Sequence, residues 1–376
     1  MTNQQVIAHF DSSGRTDSIR TTDNIVESLR NLLSSYQHVF VVRGERSFEE
    51  SGAAAFLKEV RQGTDIVYHP FSSFAKNPKK EDAIVGAHEL ISSHSEAIIA
   101  IGGGSAIDTA KLIRHYAQLS VPLVAVPTTA GTGSESTQFA VCFIDGVKTS
   151  VDHPSILPNV AILMPELTMS GSKYLAVTCA FDAFSQAVES YWNIRATDES
   201  DEFAKEAITK IFKGLTQFIE SHGSCIEQRN WREMMMGGAN LAGKAINLTR
   251  TTAPHAMSYI LSSKYNYPHG HAVALTFPYF AKLNILCPED QYMGRDINRY
   301  QEKMVWLTKC LGLVGRQDIE DTSRKVIKAL GLGYREDSKV DATLVAQSIN
   351  LERAGNNPHK LTAEIITQAA ESILKM

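Results

Sequence analysis

The chain has 376 residues, of which 43% are apolar and 21% charged; this excludes a small stapled module or a largely disordered chain and predicts two domains. Lys and Arg number 37 against 41 Asp and Glu, a formal charge of −4, so no basic face is expected for nucleic acid or membrane, and a small molecule is the expected partner. The five cysteines lie far apart with no CxxC pair, which argues against a disulfide framework or thiolate zinc site and suits a reducing cytoplasm.

The opening MTNQQVIAHFDSSG lacks the basic start and apolar core of a signal peptide. No run of about 18 apolar residues follows, so no membrane span is expected. Five short runs, HVFVV at 38–42, DIVYH at 65–69, AIIAI at 97–101, PLVAVP at 122–127 and NVAIL at 159–163, are apolar on both faces, as buried parallel strands are. Between them, 24–35, 49–62, 81–94 and 105–118 have helical length and periodicity. The βαβα alternation predicts an α/β, Rossmann-like doubly wound domain over 1–165. Beyond Pro165 strand-like runs stop. Helical stretches at 174–193, 199–221, 230–247, 251–263, 272–284, 296–312, 316–330 and 340–350 predict an all-α domain over 166–376, with breaks at Pro268-His269-Gly270, Pro278 and Pro288.

The AIIAI strand runs directly into GGGSAIDTAK. Glycines let the backbone turn tightly and approach an anion, and the following helix N-terminus offers unpaired N–H groups to a pyrophosphate. Gly102, Gly103, Gly104, Ser105 and Asp108 are therefore candidate cofactor residues. The loop VPTTAGTGSES at 126–136 adds short donors and acceptors in Thr128, Thr129, Thr132 and Ser134, suited to a flat nucleotide or nicotinamide.

In the helical half, Asp182 and Gln186 stand four apart on one helix face. Asp182 has Ala180, Phe181, Ala183 and Phe184 around it, and a buried carboxylate needs a partner. His255, His269 and His271 fall within seventeen residues. One carboxylate and two imidazoles suit Zn²⁺, Fe²⁺ or Mn²⁺ and leave room for a substrate.

GGGSAIDTAK, PTTAGTGSE, the DAxxxAxE helix and the HAM and PHG pair stand in one order over roughly 20–290, and in this the chain resembles the iron-containing (group III) alcohol dehydrogenases. The resemblance implies the dehydroquinate synthase-like architecture of that family: a Rossmann-like domain for NAD(H) or NADP(H) and a helical domain holding a divalent metal, Fe²⁺ or Zn²⁺. It also implies reversible alcohol and carbonyl interconversion and points to a homodimer. Position by position, the metal set becomes Asp182, Gln186, His255 and His269. Two departures stand out. Gln186 replaces the usual His and offers only a neutral carbonyl oxygen, though three ligands suffice for a catalytic metal. Tyr259 stands where many members carry a further His; its phenol or His271 is the expected catalytic proton relay.

After the HVFVV strand, Gly44 occupies the place where NAD-selective relatives carry Asp, with Arg43, Arg46 and Ser47 beside it. Without the repelling carboxylate, NADP(H) is expected over NAD(H). RTTAPHAMSY and PHGHAVAL look most like the subgroup that includes phosphonoacetaldehyde reductases, which act in phosphonate biosynthesis; Arg250 and Lys264 are the expected substrate-anion contacts. A general short-chain alcohol dehydrogenase, a dehydroquinate synthase-like NAD-dependent lyase and a non-catalytic nucleotide binder are the alternatives.

Overall fold

The computed structural model describes residues 17–20, 24–315 and 318–376. The opening segment read above and the first two residues of the expected 316–330 helix lie outside them. The chain divides into two compact units after Gly171.

Among the described residues the first unit carries eight strands: β1 (Asp17–Arg20), β2 (His38–Arg43), β3 (Val67–Phe71), β4 (Ala97–Gly102), β5 (Leu123–Pro127), β6 (Phe139–Ile144), β7 (Val147–Asp152) and β8 (Val160–Leu163). Six form one sheet in the order β1-β8-β5-β4-β2-β3, every neighbouring pair parallel. The helices are α1 (Ile25–Leu33), α2 (Glu45–Glu50), α3 (Ala53–Arg61), α4 (Lys80–Ser92) and α5 (Gly104–Ala117). Alternate strand residues face opposite ways, and both faces are covered. Val39, Val41, Ile99, Ile101, Val124 and Val126 pack with Leu29, Leu33, Phe56 and Val60. Phe40, Val42, Ile98, Ala100 and Ala125 pack with Leu90, Ile107 and Ile113 on the other face. The strand after β2 lies on one side of it and the strand after β4 on the other, so the connections diverge between these neighbours. This is the switch point where open α/β sheets bind ligands.

The second unit holds ten helices among the described residues: α6 (Lys173–Trp192), α7 (Asp198–Glu220), α8 (Arg229–Thr249), α9 (Ala253–Ser263), α10 (His269–Ile285), α11 (Ile297–Cys310), α12 (Ile319–Ala329), α13 (Ala342–Gln347), α14 (Leu351–Ala354) and α15 (Ala363–Ile373). In α6, sixteen residues from Ala176 to Trp192 are buried, so this helix is the core on which α7, α8, α10 and α11 pack. Among the described residues no helix is long and apolar enough to cross a membrane.

Several expectations are corrected. The 49–62 helix is two, because Gly52 takes φ +83° between α2 and α3. Pro278 does not break α10: Phe277, Pro278 and Phe280 are buried, and packing outweighs the lost backbone bond. The β6–β7 hairpin went unread, although Asp145-Gly146, both at positive φ, is the pair that such a turn selects. Strand β1 and helices α14 and α15 are further elements beyond those expected.

The approach of α10 to α6 depends on Gly270. A Cβ there would lie 2.1 Å from the Thr178 carbonyl oxygen and 2.9 Å from Asp182 Cβ. Gly270→Ala is expected to cost about 1–3 kcal/mol, read as a lower urea midpoint; an unchanged midpoint would refute the close approach.

Candidate active site

In the first unit three loops converge at the switch point. Gly102 ends β4 at φ +155°, a conformation that favours glycine, and a Cβ there would approach the Gly44 amide to 3.8 Å and Ser47 Oγ to 4.0 Å. The Thr128 N–H donates to the Gly102 carbonyl at 2.9 Å. A Cβ on Gly103 would meet Thr129 Oγ1 at 3.5 Å, and one on Gly104 would meet Thr132 Oγ1 at 3.0 Å. Gly103 caps α5 with no side-chain acceptor, and no acidic residue sits in the first turn, so the positive helix end is offered to a ligand.

Not every residue of these motifs presents its side chain there. Asp108 accepts from Ser134 Oγ and from the Val141 N–H at 3.0 Å. Lys111, fully buried, donates to Ser134 Oγ at 2.9 Å, Thr137 Oγ1 at 3.0 Å and the Phe139 carbonyl at 2.9 Å. Burial drives the Lys111 ammonium down to about 8, against the pull of Asp108. Asp108 and Ser134 thus fasten the 128–137 loop to α5, and Ser105 donates to the Lys76 carbonyl. Arg46 is exposed and paired with Glu50 at 2.7 Å, and the Arg43 guanidinium lies 4.7 Å from the Phe48 ring centre.

In the second unit the helices bring together Asp182 from α6, His255 from the first turn of α9 and His269 at the start of α10. One ligand atom from each lies within 4.8 Å of the others. His255 Nε2 is 3.2 Å and His269 Nε2 3.9 Å from Asp182 Oδ1. A carboxylate and two imidazoles so gathered are a donor set that fits a divalent metal. Gln186 is buried beside them and donates a hydrogen bond to Asp182, so its amide supports the carboxylate. Burial opposes the charge on Asp182, but His269, His255 and Gln186 hold its carboxyl below the usual range.

Behind His255 stands Glu189, fully buried and one of the residues that sequence reasoning missed as part of the site. One oxygen binds His255 Nδ1 and accepts from Ser185 Oγ at 2.7 Å; the other accepts from the Thr252 N–H at 2.7 Å and Thr252 Oγ1 at 3.0 Å. Glu189 therefore caps α9 and orients the imidazole so that Nε2 faces Asp182. Its seven-residue spacing from Asp182, two helical turns along the same face, was the available signal. Burial disfavours a charged His255, but Glu189 and Asp182 outweigh it and raise its pKa to about 10.

His271, expected as a relay, does not join the cluster. Its Nε2 faces the Gly333 carbonyl at 2.9 Å, so it carries the proton, and Nδ1 accepts from Tyr174 Oη at 2.7 Å. Burial lowers its pKa, Gly333 notwithstanding. Tyr259 does reach the site: its ring stacks on His269 at 6.1 Å and 7°, and its oxygen accepts from Arg353 Nη1 at 2.8 Å. Arg250 bonds the Asn247 carbonyl of its own helix end at 2.5 Å, and Lys264 is exposed at the end of α9.

Residues 17–165 match the family model for iron-containing alcohol dehydrogenase, and 176–371 match that for the C-terminal part of the Fe-containing alcohol dehydrogenase family. The chain belongs to the iron-containing alcohol dehydrogenase family. This family binds NAD(P) and a divalent metal. Our alcohol dehydrogenase family member is 31% identical to a 1-propanol dehydrogenase of Salmonella typhimurium over 226 residues, 58% of this chain and 60% of that relative, so it spans less than two thirds of its length. It is 29% identical to a phosphonoacetaldehyde reductase of Streptomyces viridochromogenes over 315 residues, 76% of this chain and 78% of that one. A solved sulfoacetaldehyde reductase from Bifidobacterium kashiwanohense, in complex with NAD⁺, superposes with TM-score 0.80 at 25% identity, covering 96% of this chain and 98% of that one.

Two predictions follow from the geometry around His255. Glu189→Gln should weaken metal binding about ten- to hundredfold, measured by competition with a chromogenic chelator; unchanged affinity would deny Glu189 its orienting role. With a pKa of about 10 in the metal-free protein, His255 holds its proton at neutral pH, so metal binding at pH 7 should release it and affinity should rise with pH until about 10. Calorimetry in buffers of different ionisation enthalpy reads that proton. Equal heats in all buffers would exclude its release.

Proposed function

We propose that this chain is a metal-dependent NAD(P)H-linked aldehyde reductase, acting reversibly as an alcohol dehydrogenase. The observation that carries the reading is the Asp182–His255–His269 cluster backed by Glu189, in a chain whose two parts match the two family models. In the overall reaction an aldehyde, NAD(P)H and one proton give the alcohol and NAD(P)⁺, the nicotinamide supplying the hydride. A divalent ion held by Asp182, His255 and His269 would supply Lewis acidity toward the substrate oxygen.

The chain's own residues do the rest. Asp182 brings one negative charge directly to the cluster and would partly offset a divalent ion there. Glu189 keeps His255 Nε2 aimed at Asp182. Tyr259, held over His269 and accepting from Arg353, presents its hydroxyl proton as the proton source for the product alcohol. The backbone around Gly44, Gly102, Gly103 and Gly104, with Thr128, Thr129 and Thr132, receives the dinucleotide at the positive end of α5. Gly44 itself carries no carboxylate at the position after β2, which supports NADP(H) over NAD(H), with the exposed Arg46, paired with Glu50, beside it.

For the substrate we favour phosphonoacetaldehyde, reduced to 2-hydroxyethylphosphonate; the relative of that name, matched over three quarters of the chain, supports it. A general short-chain alcohol dehydrogenase is the second reading, supported by the propanol dehydrogenase relative.

The test is an assay of the metal-loaded protein with phosphonoacetaldehyde and propanal. We expect one NAD(P)H oxidised per aldehyde consumed, loss of activity on chelation with recovery on adding Fe²⁺ or Zn²⁺, and a kcat/KM ratio for NADPH over NADH above one. Turnover without net NAD(P)H consumption would favour a lyase, and full activity after chelation would refute the metal reading.

A further inference from the structure

Arg353 was not singled out by any motif, yet one side chain ties it to the candidate metal cluster. It lies in α14, whose N-cap Asn350 accepts from its backbone N–H at 3.0 Å. Its Nη1 donates to Tyr259 Oη at 2.8 Å, and its guanidinium carbon is 5.4 Å from the Tyr259 ring centre. The Tyr259 ring in turn lies parallel to that of His269, and His269 faces Asp182. One side chain therefore separates this guanidinium from a candidate metal ligand.

Two other arginines of this unit are neutralised by carboxylates. Arg299 pairs with Asp198 and Asp201, and Arg324 with Glu320 and Asp321. Among the described residues no carboxylate lies in ion-pair range of Arg353, and its one side-chain partner is a neutral phenol. A guanidinium has five N–H donors in a planar fork, and a single bond to a phenol leaves most of that fork for an acceptor. The matching partner is an oxyanion with two or three equivalent oxygens, which can take two parallel N–H bonds at once.

We propose that Arg353 is the specificity-determining residue of this site, binding the anionic end of a short aldehyde whose other end is reduced. The inference rests on the aldehyde reductase reading above. The ligand chemistry is a tetrahedral oxyanion, phosphonate or sulfonate, on a small aldehyde. It gives Arg353 the role that the sequence had suggested for Arg250 and Lys264. Arg353 also acts on Tyr259: with one side of the phenol oxygen accepting from the guanidinium, the hydroxyl proton is turned to the other side.

The test compares kcat/KM for phosphonoacetaldehyde, sulfoacetaldehyde and propanal in the metal-loaded wild type, Arg353→Met and Arg353→Lys. The wild type should favour an anionic aldehyde over propanal by tenfold or more. Arg353→Met should cut that ratio ten- to hundredfold, mainly through KM, and Arg353→Lys should restore part of it. Calorimetric binding of 2-hydroxyethylphosphonate and 2-hydroxyethanesulfonate gives a readout independent of turnover and separates the two anions; both affinities should fall in Arg353→Met. An unchanged ratio with a lowered Tm would overturn the proposal and leave Arg353 as a tie between α14 and α9. If the substituted proteins do not fold, the wild type still decides, since reduction of propanal with no preference for either anion overturns the role of Arg353 alone. Reduction of no aldehyde at all would instead overturn the reading on which it rests.

Discussion

Glu189 sits in the core of the helical unit with none of its surface exposed, and a carboxylate there is tolerable only if its lone pairs are matched by donors. Those donors come from three sources: Ser185 on its own helix, Thr252 at the start of α9, and the imidazole of His255. Meeting them fixes where α9 begins relative to α6, because the acceptor for its first-turn N–H groups is a side chain of another helix. The same contact determines which ring nitrogen of His255 faces Asp182. The geometry of the candidate metal cluster is therefore set by the requirement to pay for one buried charge.

Close packing supplies the second constraint. Gly270 lets α10 approach the Thr178 carbonyl, which puts His269, one residue earlier, beside Asp182. In the sheet unit the corresponding device is Gly102, whose positive φ turns the chain out of β4 and lets the loop after β2 come near. In each unit a glycine at the crossing point does what no side chain could, and polar residues of the same motifs, Asp108, Ser134 and Lys111, hold the neighbouring loop in place.

Charge is distributed with the same economy. Arg250 and Lys264 looked suited to an anion from their places in the sequence, but Arg250 is spent on the carbonyls at the end of α8 and Lys264 is exposed. Arg353, from a short helix near the C-terminus, has the phenol of Tyr259 as its side-chain partner instead. His271 shows the converse: a histidine two positions from a candidate ligand, used to join Tyr174 to Gly333. Two residues along a helix rotate the side chain by about 200°, so neighbours in sequence serve different partners.

Much was legible in the chain itself. Runs apolar on both faces identify buried parallel strands, and Gly102 to Gly104 behind such a strand mark a tight turn into a helix; these are local effects of burial and backbone freedom. Asp182, His255 and His269 were likewise readable, since a carboxylate among Ala and Phe residues needs partners. Only the tertiary structure decided which groups meet. It assigned Glu189 to His255 across 66 residues and Arg353 to Tyr259 across 94, bonded His271 to Gly333 and Arg250 to Asn247, left Lys264 exposed, and carried α10 through Pro278. No spacing rule reaches such distances, because hydrogen-bond partners separated by many helical turns are chosen by packing.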